Sequence, residues 1–319
     1  MSASRLVRLV VAVGLTAIVL YRSNPAHIVR AAATADLRWI AAAIALVLID
    51  RTLMALRWID LLTAVTAGSR PRFPIVLRIF FVSSFVSNFV PSVAADLYRA
   101  YALARHDVRL AESAASVLMD RVLGVLSMVL VGLAALPFAR EIASDRGLLA
   151  GLGTAFLGCA AAGAVVFSER AAGTLVSLAA AVPWRPLQRA AASLTDAVRR
   201  YAHHHGAMLR VLLMSIAVQA IRVVQAWCLG RSLDIDLPLA IYFALVPAIL
   251  LVMQLPITVN GIGTTQWAFD ALFVPRGAAA APVFAVSVLF LALGVIGSLP
   301  GGVLYALGEP VRAADSPAP

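Results

Sequence analysis

Apolar residues along the chain gather into eight runs, at about 6–20, 39–62, 73–90, 114–138, 147–167, 208–229, 237–256 and 281–307. Several reach the roughly 20 residues that a helix needs to span the hydrocarbon of a bilayer. No ten-residue stretches of alternating polarity occur, so an outer-membrane barrel is not expected. The pattern predicts an all-α polytopic membrane protein with residues 1–319 forming a single membrane domain. The stretch from Phe80 to Gly124 stands apart, because an apolar helix stops at Pro91 and resumes carrying charge. Ser84, Ser87 and Asn88 form a polar stripe at helical spacing before the break, and Asp96 and Arg99 follow it within two turns. Irregular backbone and charge are tolerated at membrane depth only inside protein or beside a wet cavity.

A second break lies in PITVNGIGTTQWAFDALF, where Pro256, Asn260, Gly261 and Gly263 interrupt an apolar helix. The two breaks are related in spacing. Arg57 precedes Pro91 by 34 residues, and Arg222 precedes Pro256 by 34. In each half an Arg-bearing span leads to an apolar helix, a Pro break, a short helix and a span containing Ser-Val-Leu, at Ser116 and Ser287. This predicts an internal repeat, the first copy over about 39–138 and the second over about 208–307.

Composition narrows the class further. The chain is 62% hydrophobic and only 13% charged, against roughly 25% charged in soluble domains. Its net charge of +10 comes from 26 arginines without a single lysine. In membrane proteins basic residues report orientation first, so no nucleic-acid partner is expected. The first run, with Arg5 and Arg8 ahead of it, is expected to be a transmembrane helix rather than a cleaved signal. Counting all eight runs as full crossings would place the arginines of 168–206 outside, against the positive-inside bias. Treating 73–105 and 237–273 as re-entrant hairpins leaves six crossings and a cytoplasmic N-terminus. Fifteen arginines then lie inside, seven outside, and Arg51, Arg57, Arg121 and Arg222 within the membrane. The hairpins would enter from opposite faces, making the repeats inverted. Inverted repeats with broken helices at the midplane are an alternating-access arrangement. Residues 168–206, with Leu187, Ala190, Leu194, Val198 and Tyr201 opposite Arg185, Arg189, Arg199 and Arg200, predict a cytoplasmic interfacial amphipathic segment.

The candidate chemistry is ionic. Arg57, Arg99, Arg121 and Arg222 offer paired N–H donors suited to phosphate, with Asp96 and Asp120 to orient them. Helix ends at Pro91 and Gly263 would add backbone donors. Asn88 before the first break and Gln266 after the second complete the candidate substrate-binding set. Arg57 and Asp60, three apart, are spaced to pair. Ser215, Gln219, Arg222 and Gln225 share a helical face that is expected to turn inward. No nucleophile elbow, HExxH, CxxC or P-loop occurs, so no catalytic residues and no cofactor are expected. Contiguous His203, His204 and His205 cannot all face one ion from a helix, and no metal site is expected there. Cys159 and Cys228 sit in apolar runs as packing residues.

NFVPSVAADLYRAY followed by AASVLMDRVLG, the earlier Arg57-Trp58 and the later LPITVNGIGTTQ resemble the lysylphosphatidylglycerol synthase transmembrane region, a flippase-like family. The resemblance covers nearly the whole chain. It implies an integral protein of a bacterial or archaeal cytoplasmic membrane whose partners are polar or anionic lipids (phospholipid, polyprenyl-linked or hopanoid-type), which it translocates or handles. By position, the family pattern falls on Asn88, Pro91, Ala94, Ala95, Asp96 and Arg99, and on the pair Asp120-Arg121. Two departures carry consequences. Ala94-Ala95 replaces the usual Gly-Gly and makes a less pliable break, and Gln266 stands where an acidic residue is often found. A lysyl-lipid substrate is therefore not expected. The soluble domain of bifunctional members does not occur in this sequence, so synthase activity is not expected either. A membrane-embedded enzyme acting on polyprenyl-phosphate or glycolipid substrates, or a subunit serving a lipid-modifying enzyme partner, remains the alternative reading.

Overall fold

The computed structural model describes residues 35–66, 72–90, 92–106, 108–139, 146–181, 185–255 and 261–307. The first apolar run, Pro91, Pro256 and Asn260 lie outside the described residues. All regular structure among the described residues is helical. In chain order the helices are α1 (Leu37–Val65), α2 (Phe73–Val86), α3 (Ser92–Ala104), α4 (Leu110–Ala135), α5 (Arg146–Phe167), α6 (Glu169–Ala180), α7 (Arg185–Arg199), α8 (His205–Ser232), α9 (Leu239–Gln254), α10 (Thr264–Phe273) and α11 (Ala280–Leu307). Five of these, α1, α4, α5, α8 and α11, are long and apolar enough to cross a membrane. The apolar helices α2 and α9 have only 14 and 16 residues. At 1.5 Å per residue they reach about 21 and 24 Å, short of a hydrocarbon core of about 30 Å.

Local chemistry sets the helix ends. Asp36 caps α1 by accepting from the Arg38 N–H at 2.9 Å. Pro74 sits in the first turn of α2, where its missing N–H costs no helical hydrogen bond. At the second break Gly261 and Gly263 hold φ of 72° and 89°, a left-handed backbone that a side chain would strain. α10 then starts from Gly263, whose N–H donates to Gln266 Oε1 at 2.7 Å.

The packing follows one scheme twice. α1 lies along α8. α2 packs on α11 as α9 packs on α4, and α3 packs on α4 as α10 packs on α11. The remaining contacts among these eight helices pair off likewise, α4 with α8 and α11 with α1, α1 with α2 and α8 with α9, α1 with α4 and α8 with α11, α2 with α3 and α9 with α10. Exchanging the set α1–α4 for α8–α11 leaves this list unchanged. Among helices in lipid such contacts rest on close packing, because acyl chains are as apolar as the side chains. Gly301 shows how close: a β-carbon there would overlap the Phe81 carbonyl of α2.

α7 docks on α4, and the 3-10 turn Arg200–His203 that follows it touches α1 and α8, so that Ala197, Val198 and Tyr201 pack with Leu61, Ala115, Met119 and Val211. The Tyr201 hydroxyl donates to the Leu61 carbonyl at 3.0 Å. Burial pushes the phenol pKa up, so it stays a neutral donor. Arg200 reaches Glu112 at 2.6 Å and fixes the same corner.

Candidate functional site

Asp120, in the middle of α4 and 5% exposed, is the hub of the buried charges. It accepts from Arg57 of α1, with Nε at 2.8 Å and Nη2 at 2.7 Å from Oδ1, and from Arg99 Nη2 of α3 at 2.9 Å from Oδ2. Buried charges persist in a helical bundle only when paired and hydrogen-bonded in this way. Arg57 Nη1 also donates to Ser215 Oγ of α8 at 3.0 Å. One turn beyond Asp120 stands Gly124, where a β-carbon would lie 3.8 Å from Arg57 Nη1. The Arg99 guanidinium stacks over the Trp58 ring, 4.5 Å from its centroid. That ring is held in turn by its Nε1–H donating to Ser116 Oγ at 3.2 Å.

Two smaller ionic groups flank the hub. Arg222 of α8 donates through Nε to Asp50 Oδ1 at 3.0 Å, while Arg51 Nε lies 3.9 Å from Asp50 Oδ2. Arg51 Nη2 donates to the Gly294 carbonyl of α11 at 3.3 Å. On the other side, Arg121 Nε binds Asp96 Oδ2 of α3 at 2.7 Å, and its Nη1 donates to Gln254 Oε1 at the end of α9. Arg121 therefore ties the helix that follows the first break to the helix that precedes the second. Asn88, at the end of α2, donates to Ser298 Oγ of α11 at 2.7 Å.

All three groups open on one cavity of about 270 Å³. Arg51, Arg57, Arg99, Arg121 and Arg222 line it against Asp50, Asp96 and Asp120, so among the described lining residues positive charge exceeds negative by two. Of the sequence candidates, Arg57, Asn88, Asp96, Arg99, Asp120, Arg121 and Arg222 meet there, together with Gly261 of the second break. Gln266 does not line it and is engaged in capping α10. The expected Arg57–Asp60 pair is also corrected. Arg57 turns inward to Asp120, and Asp60 faces the exposed end of α8, where Arg210 grips it at 2.9 and 3.0 Å. The buried carboxylate wins because a desolvated ion pair needs its partner more than an exposed one does.

Sequence reasoning left Asp50, Arg51 and Gln254 outside the candidate set. The first two were visible as charges inside an apolar run. Gln254 carried a weaker signal, a lone amide at the end of an otherwise apolar helix just before a break. Among the described residues no group of His, Cys, Asp or Glu is placed to hold a metal ion.

Comparison with curated proteins and with solved structures returns no match. Residues 5–301 match the model of the lysylphosphatidylglycerol synthase TM region, and this multi-pass membrane protein belongs to that family.

Proposed function

We propose that the chain is a flippase-like lipid translocase of the cytoplasmic membrane, which takes an anionic lipid headgroup through its central cavity while the acyl tails stay in the bilayer. One observation carries this reading: a cavity with an excess of arginine sits where the two interrupted helices meet, among helices long enough to cross the membrane. Such an excess of cations, two of them buried and the rest partly so, is costly inside a membrane protein unless an anion completes it.

The packing scheme supports a pair of repeats, since exchange of α1–α4 with α8–α11 preserves the contacts, and the arginine distribution supports their being inverted. The short reach of α2 and α9 supports hairpins at 73–105 and 237–273 that return to the side they entered. On this reading the N-terminus and the docked α7 lie on the cytoplasmic side. Moving one hairpin relative to the other would break the bonds of Arg121 to Asp96 and Gln254, the link between them. A headgroup phosphate can replace those acceptors, so binding would loosen the link.

Reconstitution into vesicles with labelled lipids tests the proposal. The wild-type chain is expected to move anionic lipid between leaflets, and Arg99→Gln or Arg51→Gln to slow that movement at least about tenfold, the equivalent of about 1.4 kcal/mol in a binding step. Turnover of a lipid phosphate without movement would contradict the proposal and favour a membrane enzyme with an aspartate as base. Inactivity in both assays, with a lipid-modifying enzyme retained on purification, would favour an accessory subunit.

A further inference from the structure

The cavity wall formed by α2 and its last turn differs in kind from the others. Arginines and aspartates reach the cavity from α1, α3, α4 and α8, whereas this wall presents Ser83, Ser84, Ser87 and Asn88, which are polar but uncharged. Their spacing puts them on one helical face. Ser84 and Ser87 are partly exposed there. A serine hydroxyl has one hydrogen to give and two lone pairs. Ser84 Oγ donates its hydrogen to the Phe80 carbonyl at 2.9 Å, and Ser87 Oγ donates to the Ser84 carbonyl at 2.7 Å. With those hydrogens spent on their own helix, both side chains offer the cavity only acceptors.

An uncharged acceptor calls for a donor on the ligand, and a headgroup can supply one as an ammonium or as a hydroxyl. The charge of the cavity decides between them. Its described lining residues carry an excess of two positive charges, of which a phosphate diester offsets one. The carboxylates among them are engaged, Asp50 with Arg222, Asp96 with Arg121, and Asp120 with Arg57 and Arg99. An ammonium group would therefore meet net positive charge and no carboxylate of its own. A hydroxyl donates without charge. We infer that the headgroup taken into this cavity is a phosphate diester that bears hydroxyl groups, a polyol or a sugar, with its phosphate against the arginines and its hydroxyls against Ser84 and Ser87. This rests on the translocase reading of the same cavity and narrows its substrate class.

The test uses the full chain purified in detergent micelles and titrated with dioleoyl phosphatidylglycerol, dioleoyl phosphatidylpropanol, dioleoyl phosphatidylethanolamine or tail-free glycerophosphoglycerol, the bound species being counted by native mass spectrometry. Phosphatidylpropanol has the charge and the carbon chain of the phosphatidylglycerol headgroup but neither of its hydroxyls. Phosphatidylglycerol is expected to bind about tenfold tighter than phosphatidylpropanol, the worth of one or two neutral hydrogen bonds. Phosphatidylethanolamine and glycerophosphoglycerol are expected to bind more weakly than phosphatidylglycerol. Ser84→Ala combined with Ser87→Ala should shrink the preference to about twofold or less and leave phosphatidylpropanol binding unchanged, which separates a lost contact from a damaged fold. Ser87→Thr, which keeps the hydroxyl, should keep the preference. Equal binding of phosphatidylglycerol and phosphatidylpropanol by the wild-type chain overturns the hydroxyl assignment while leaving a lipid site in place. Phosphatidylethanolamine matching phosphatidylglycerol overturns the choice of hydroxyl over ammonium. Glycerophosphoglycerol matching phosphatidylglycerol overturns the lipid-borne source. A preference that survives both alanine substitutions overturns the placement on α2. Retention of no lipid, together with no lipid movement in reconstituted vesicles, removes the translocase reading itself.

Discussion

In α1–α4 the polar side chains facing the cavity include Asp50, Arg51, Arg57, Asp96, Arg99, Asp120 and Arg121; in α8–α11 they are Gln219, Arg222, Gln225 and Gln254. The two halves nevertheless pack by one scheme. Counting four residues on from Ser116 and from Ser287 reaches Asp120 in one half and Leu291 in the other, and both line the cavity. Counting eleven reaches Ser127 and Ser298, both fully or nearly buried and both accepting from a side-chain amide, Gln219 at 3.4 Å and Asn88 at 2.7 Å. Positions that pack helix on helix keep their character, and positions that face the cavity diverge. The helix contacts are thus doubled while the charge facing the cavity sits mainly in one half. The nearly neutral half touches the ionic network through Ser215 on Arg57, Arg222 on Asp50, the Gly294 carbonyl on Arg51 and Gln254 on Arg121. A shift of that half would strain the Arg222–Asp50 pair and the Gln254 contact, while Arg57, Arg99 and Asp120, all on the other half, keep one another.

Breaking the charged half should have the largest effect. Asp120→Ala leaves Arg57 and Arg99 buried without their carboxylate and is expected to cost about 3–5 kcal/mol. Arg222→Gln leaves Asp50 with Arg51 and should cost about 1–3 kcal/mol. Unfolding in a detergent titration followed by circular dichroism measures both, and equal losses would mean that the charge is not concentrated as described. The packing contacts come next. Gly301→Ala forces a methyl group into the α2 backbone and should cost about 1–3 kcal/mol. Gly132→Ala, on the corresponding α4–α9 contact, meets Leu152 and Pro247 at 3.3–3.5 Å. There a helix-propensity gain of up to about 1 kcal/mol offsets the crowding, leaving stability nearly unchanged in the same titration. The smallest effect should come from the two serines. Ser298→Ala removes a 2.7 Å bond and should cost about 1 kcal/mol, whereas Ser127→Ala loses a 3.4 Å contact and should cost less than half of that.

Much of this arrangement was legible in the sequence, for physical reasons. Charges inside apolar runs must face protein, so Arg57, Asp96, Arg99, Asp120, Arg121 and Arg222 could be assigned to an interior before their partners were known. The five long spans among the described residues were readable because twenty apolar residues have little alternative to crossing a bilayer. Pairing was harder to read. Local spacing favoured Arg57 with Asp60, but burial brought Arg57 to a carboxylate 63 positions away. Gln266 misled because a residue after a break can serve either a ligand or the helix it starts, and here it caps α10. Arg51 and Asp50 were visible as charges, yet only the approach of α8 and α11 gives them a shared cavity.

The proposed hairpins are tested most directly by the side of the membrane on which their ends lie. Single cysteines at Arg72, Arg105, Asp236 and Ala279, in a chain with Cys159 and Cys228 replaced by alanine, can be probed in intact cells with a membrane-impermeant maleimide. Inverted hairpins predict that Asp236→Cys and Ala279→Cys are both labelled from outside, whereas Arg72→Cys and Arg105→Cys react only after the membrane is opened. Labelling that separates Arg72→Cys from Arg105→Cys, or Asp236→Cys from Ala279→Cys, would make that segment a full crossing and contradict the account.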